Sequence, residues 1–258
     1  MKKQLVTETE NQKGIYPIMS TSKSQYLALP FIVLGTLSLL YFGALAPDAI
    51  SKLFTMPIVN NAFVDGKLKY QLITLAIALF ILFITYLFAK KNAGLFYKAG
   101  TLNASAAPVG WLGIKNTDTW NIVGRNFAII VSVVTGIFIY LNVARGQTLG
   151  SEHVRFLPFI LLFAMMNAFT EEAITRLSLV TALHGLMPKA VINIASALLF
   201  SIPHYFGVPG GVVGALMAAF LGWLLSKSII ETRGMFWAWF IHFLQDVIIF
   251  TALFLVAL

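Results

Sequence analysis

From Leu27 to Ala46 the chain carries no charged side chain, and apolar runs of similar length recur at Tyr70 to Ala89, within Ile122 to Val143, from Arg155 to about Leu183, from Lys189 to about Tyr205, from Gly210 to Ile230 and from Met235 to Leu258. Runs of this length match the hydrocarbon thickness of a bilayer, which takes about 20 helical residues to cross. Lipid offers backbone amides no hydrogen-bond partner, so such runs must close their hydrogen bonds internally as helices. The expected architecture is all-α: a polytopic transmembrane helix bundle of about seven spans. Composition agrees, because 59% of the residues are hydrophobic and only 11% charged, against about 25% charged in an ordinary soluble domain.

The net charge of +8 does not point to nucleic acid, since the basic residues are spread between apolar runs instead of clustering with aromatics. With the amino terminus placed in the cytoplasm, twelve Lys and Arg fall on the cytoplasmic side and five on the other, with Arg176 inside the fourth span. That bias predicts an integral, multi-pass protein whose amino terminus is cytoplasmic. Residues 1–26 read as a polar cytoplasmic tail, 27–154 as amino-terminal membrane helices and their connections, and 155–258 as a core of the last four helices. The first run is read as a retained span and not a signal peptide, because it exceeds the usual signal core although Ala44-Leu45-Ala46 imitates a cleavage site. Gly94 to Thr119, small, polar and holding Pro108, reads as a surface connection. The sequence assigns no oligomeric state.

Cysteine is absent, which excludes thiol catalysis, thiolate metal sites and disulfides. Any nucleophile is an oxygen or water. Glu171 and Glu172 lie inside an apolar helix where each carboxylate costs roughly 2.5 to 3.5 kcal/mol to insert. Arg176 is one turn beyond Glu172 on the same face and can pair with it, while Glu171 points about 100° away with Asn167 and Thr175 one turn to either side. The fifth span ends in Phe200-Ser-Ile-Pro-His204, whose proline removes a backbone donor beside the histidine. The seventh carries His242 and Asp246 one turn apart, with Gln245 between. Counting helical rise from each span's expected boundary puts the four groups at compatible depths in the cytoplasmic third of the membrane. His153 and His184 fall at span ends and read as structural, and the small residues of the sixth span, Gly210, Gly214, Ala218 and Gly222, read as a helix-packing stripe.

In this order on successive helices, Glu171-Glu172-Ala-Ile-Thr-Arg176, Phe200-Ser-Ile-Pro-His204 and His242-Phe-Leu-Gln-Asp246 resemble the motifs EExxxR, FxxxH and HxxxN/D of the CPBP family. That family takes in type II CAAX prenyl endopeptidases and bacteriocin-processing or immunity proteins, and the resemblance covers about Arg155 to Leu258. It implies an intramembrane glutamic endopeptidase acting on a lipidated or hydrophobic peptide, without a cofactor. By the same resemblance Glu171 would be the general base, His204 would help hold the water, Glu172 and Arg176 would shape and charge-balance the site, and His242 and Asp246 would stabilise the oxyanion. Better-understood members carry asparagine where this chain has Asp246, and an ionised aspartate cannot donate a hydrogen bond. Asp246 is therefore either protonated or a partner that orients His242. Three other functions fit the same residues: a zinc hydrolase using the histidines and carboxylates, a proton-coupled transporter using them as a relay, and a noncatalytic immunity or partner-binding membrane protein.

Overall fold

A computed structural model describes residues 23–148, 150–207 and 210–257; the polar tail, apart from its last residues, lies outside them. The described residues form helices joined by turns, with three isolated bridge pairs and no extended strand among them. Among the described residues, six helices are long and apolar enough to cross a membrane: α1 (Lys23–Leu45), α2 (Ala62–Phe88), α3 (Trp120–Ala144), α4 (Leu157–Leu183), α6 (Gly211–Thr232) and α7 (Phe236–Ala257). A shorter apolar helix, α5 (Lys189–His204), has 16 residues, which is short of a full crossing. Expected and observed spans correspond in order, and α2 differs most at its start.

That difference has a local cause. The Asn61 side chain caps α2 by accepting from the Val64 amide at 3.0 Å, the arrangement favoured at helix starts. Asp65 then pairs with Lys69 at 2.6 Å one turn on and accepts from the Ile58 and Val59 amides. Charges that read as a connection are thus neutralised within the first turns of a helix.

Helix α7 lies between α3 and α4, α2 flanks α4, and the antiparallel α5–α6 hairpin closes the bundle against α4 and α1. Close approach is built in with glycine. A Cβ on Gly222 of α6 would stand 2.9 Å from the Ala197 Cα of α5, so those two backbones touch across the small-residue stripe. On α3, a Cβ at Gly124 would meet the Trp237 ring at 2.3 Å, and the Trp237 indole donates to the Leu102 carbonyl at 3.0 Å.

The stretch expected to be a surface connection begins inside a short helix, Lys90–Phe96, and then folds onto the end of α6. Thr101 donates its amide to the Thr232 carbonyl at 2.8 Å. Lys227 donates to the Ala107 carbonyl at 2.8 Å, while Glu231 accepts from the Ala107 amide and from the Trp120 indole. Phe96, Ala106 and Ile114 are buried in the process. Spacing of small and polar residues could not reveal those long-range anchors.

Candidate active site

Helix α4 does not run as regular α-helix past its two glutamates. Residues Ala173–Leu177 form a π-helical turn, a local widening that is frequent at functional sites. Arg176, on that turn, is fully buried and bonds Glu172, itself fully buried. The same Glu172 oxygen, Oε1, accepts from His242 Nδ1 at 2.7 Å. Two donors on one carboxylate oxygen offset the cost of removing it from water. The Arg176 guanidinium lies 3.7 Å over the Phe200 ring, a cation–π contact that couples α4 to α5. Phe200 also meets the rings of His204 at 4.2 Å and His242 at 5.4 Å, so one aromatic side chain spaces the cation and both imidazoles.

Glu171 faces a different environment. Its Oε1 accepts from Asn167 Nδ2 at 3.0 Å, and that amide also donates to Asp246 Oδ2 at 3.1 Å. Asn167 Oδ1 in turn accepts from Gln71 Nε2 at 3.3 Å, bringing α2 into the network. His242 Nε2 stands 3.7 Å from both Glu171 Oε2 and Asp246 Oδ2, too far for a hydrogen bond to either. Because His242 bonds Glu172 through Nδ1, the carboxylate that orients this ring is Glu172, and Asp246 is held by Asn167. His204 donates Nδ1–H to the Phe200 carbonyl at 2.7 Å, which in the neutral ring leaves Nε2 as an acceptor. All six sequence-marked residues, Glu171, Glu172, Arg176, His204, His242 and Asp246, thus sit in one cluster. Asn167 and Gln71 join it; each is an amide isolated in an apolar span, and that was their sequence signal. Thr175 donates to the Glu171 backbone carbonyl.

Residues 153–248 match the family model described as Rce1-like, type II CAAX prenyl endopeptidase Rce1-like. Over this segment the chain is similar to that family. Comparison with curated proteins returns no match, and neither does comparison with solved structures.

The matched segment supplies every member of the cluster except Gln71, which α2 contributes from outside it. Two cavities open on the cluster. One, of about 450 Å³, is walled by apolar residues of α3 and α6, such as Phe127, Ile130, Val134 and Leu221, and reaches Phe200, His242 and Gln245. The other, of about 580 Å³, is lined by Lys67, Tyr70, Gln71, Asn167 and Glu171. His204, Asp246 and Ile249 line both. Among the described residues, no group of three or more histidine and acidic side chains is arranged to hold a metal ion. His184 ends α4 with its ring edge-on to Phe96 at 4.9 Å; burial, then Lys189 and Arg233, push its pKa below the ordinary histidine value. His153 accepts from the Gly150 amide through Nδ1 at 3.2 Å. Both lie outside the cluster.

Proposed function

We propose that this chain is an intramembrane glutamic endopeptidase that cleaves a lipidated or hydrophobic peptide, with Glu171 as the base that activates water. One observation carries the reading. Of the two adjacent glutamates, Glu172 is 0% exposed and hydrogen-bonded by Arg176 and His242, whereas Glu171 is 17% exposed, lines the second cavity and has His242 Nε2 3.7 Å away, beyond hydrogen-bond reach. One carboxylate builds the site and the other remains able to accept a proton.

In the proposed step, a water lies between the Glu171 carboxylate and His204 Nε2, both at the cavity wall. Glu171 takes a proton from the water as its oxygen bonds the scissile carbonyl carbon, and the carbonyl π electrons move to oxygen. Protonated His242 donates through Nε2 to that oxyanion while Nδ1 stays fixed on Glu172. Collapse breaks the carbon–nitrogen bond, and Glu171 returns its proton to the departing amine. Arg176 balances Glu172, so the negative charge that develops beside it is not added to an unpaired neighbour. The apolar cavity suits a hydrocarbon chain, the polar one the peptide, and they meet at His204 and Asp246.

The test is purified wild type against Glu171→Gln on a panel of hydrophobic and prenylated peptides, read by mass spectrometry, with and without a chelator. The amide keeps the Asn167 contact and removes the base, so cleavage is expected to fall by about 10²-fold or more. Equal cleavage by both proteins would rule Glu171 out as base. Loss of wild-type activity on chelation, restored only by added metal, would favour the zinc reading. No product with any peptide would leave the transport and binding readings.

A further inference from the structure

The connection between α2 and α3 lies outside the matched segment, yet it supplies part of the apolar cavity. Its four-residue tip, Gly110-Trp111-Leu112-Gly113, closes a tight hairpin in which Val109 and Ile114 exchange both backbone hydrogen bonds, at 3.0 and 3.2 Å. Gly113 makes the turn with a φ of 71°, a conformation glycine adopts without steric cost. Behind the tip, the Ala106 amide donates to the Asp118 carbonyl at 2.9 Å, and Lys227 and Glu231 hold both backbone groups of Ala107. These anchors fix where the tip stands.

Trp111 and Leu112 line the cavity that also reaches Phe200 and His242. The Trp111 ring lies 6.3 Å from Phe220 and 6.0 Å from Trp223 of α6, and Phe220 is 6.3 Å from Phe127 of α3. Counted back from Thr232, Trp223 and Phe220 stand about 14 to 18 Å along α6, so the hairpin descends beside that helix to its middle. Gly222 lies between them in sequence, and a Cβ there would stand 3.2 Å from Phe200, the ring that spaces Arg176, His204 and His242. Trp111 therefore reaches the level of the carboxylate and histidine cluster from another face of α6.

The shape of the cavity says what this indole meets. It follows α3 from Phe127 to Phe138, about 16 Å, and its α6 side carries Gly214, Met217 and Ala218, whose two small members leave the slot open. Phe127, Phe220 and Trp111 close the end beside the cluster. Trp111 is still 72% exposed, a broad apolar face on which a chain can pack. A lipid joined near the scissile bond must leave the cluster through one of its two cavities. The one lined by Lys67, Gln71, Asn167 and Glu171 would lose its hydration to a hydrocarbon and gain no hydrogen bond. Resting on the peptidase reading, we infer that Trp111 is a specificity-determining residue: its indole packs on the hydrocarbon chain of a lipidated substrate as that chain leaves the cluster, and so selects lipidated over bare peptides.

Binding and cleavage are measured separately so that the two readings fail separately. A dansylated S-farnesyl peptide and its S-methyl counterpart are titrated against Glu171→Gln, Glu171→Gln/Trp111→Ala and Glu171→Gln/Trp111→Phe in nanodiscs of neutral lipid, with empty nanodiscs subtracted. The preference for farnesyl over methyl is expected to fall about tenfold with alanine and about threefold with the smaller phenylalanine ring. A preference that survives Trp111→Ala overturns the assignment, as does an equal loss of binding for both peptides. Should the alanine variant fail to fold by thermal unfolding, Trp111→Phe decides, and an unchanged preference there overturns it. Wild type and Trp111→Phe are then given both peptides. Cleavage with a farnesyl preference that does not depend on Trp111 removes the specificity role and leaves the peptidase; a Trp111-dependent binding preference with no cleavage removes the peptidase and leaves a lipid-chain site.

Discussion

Within two adjacent positions α4 places one carboxylate in a closed ion pair and another against a cavity, and the hydrogen bonds of Asp246 define a comparable choice. Asp246 accepts from Asn167 and is 3.7 Å from His242, so its present bond needs only an oxygen acceptor. Asparagine offers that oxygen and adds an N–H directed at the cavity. Asp246→Asn is therefore expected to keep peptidase activity within about threefold of wild type, whereas Asp246→Leu, which leaves the Asn167 amide that also holds Glu171 without this acceptor, loses up to about 10²-fold, the cost of misplacing a reacting group by about 1 Å; initial rates on a cleaved peptide decide it. A Asn variant as inactive as the Leu variant would mean the negative charge itself is needed. At this scale the sequence was most informative. The one-turn spacing of Glu172 and Arg176 gave their pairing, because a helix repeat fixes it. It did not reveal that Glu172 reaches across to His242 at 2.7 Å or that Gln71 joins through Asn167, since contacts between helices depend on rotation and depth that no single span encodes.

The α5–α6 hairpin is the element whose packing sets His204. At Gly222 an added methyl would lie 2.9 Å from the Ala197 Cα, with the Ser196 carbonyl 3.2 Å away; backbone cannot yield as a side chain does, so α5 must move. Gly222→Ala is expected to destabilise the fold by about 1–3 kcal/mol, the usual range for overpacking. It should also cut turnover by an order of magnitude or more, since displacement of about 1 Å at a reacting group costs up to 10²-fold. Gly136→Ala on α3, where nothing lies within 4 Å of the new Cβ, is the matched control and is expected to leave both unchanged. Thermal unfolding in detergent and peptide cleavage are the measurements. Element positions were legible wherever hydropathy and helix bounds coincide, as in α3 and α6. They were not at α2, where an Asn61 cap and the Asp65–Lys69 pair carry helix through charged residues, nor at 94–119, whose anchors Lys227 and Glu231 lie far along the chain.

Across the whole molecule the distribution of Lys and Arg predicts sides. With the amino terminus cytoplasmic, Lys98 lies inside and Arg145 outside, and both are exposed. A chain without cysteine gives no labelling background. A membrane-impermeant maleimide applied to intact cells is expected to modify Arg145→Cys and spare Lys98→Cys until the cells are lysed; the reverse pattern would invert the orientation. One further property follows from α5. Its 16 residues rise about 24 Å against a hydrocarbon core of about 30 Å, so α5 ends within the hydrocarbon depth. Irregular backbone at hydrocarbon depth persists only where protein or water satisfies it, so the end of α5 is where water for the proposed hydrolysis is expected to reach the histidine.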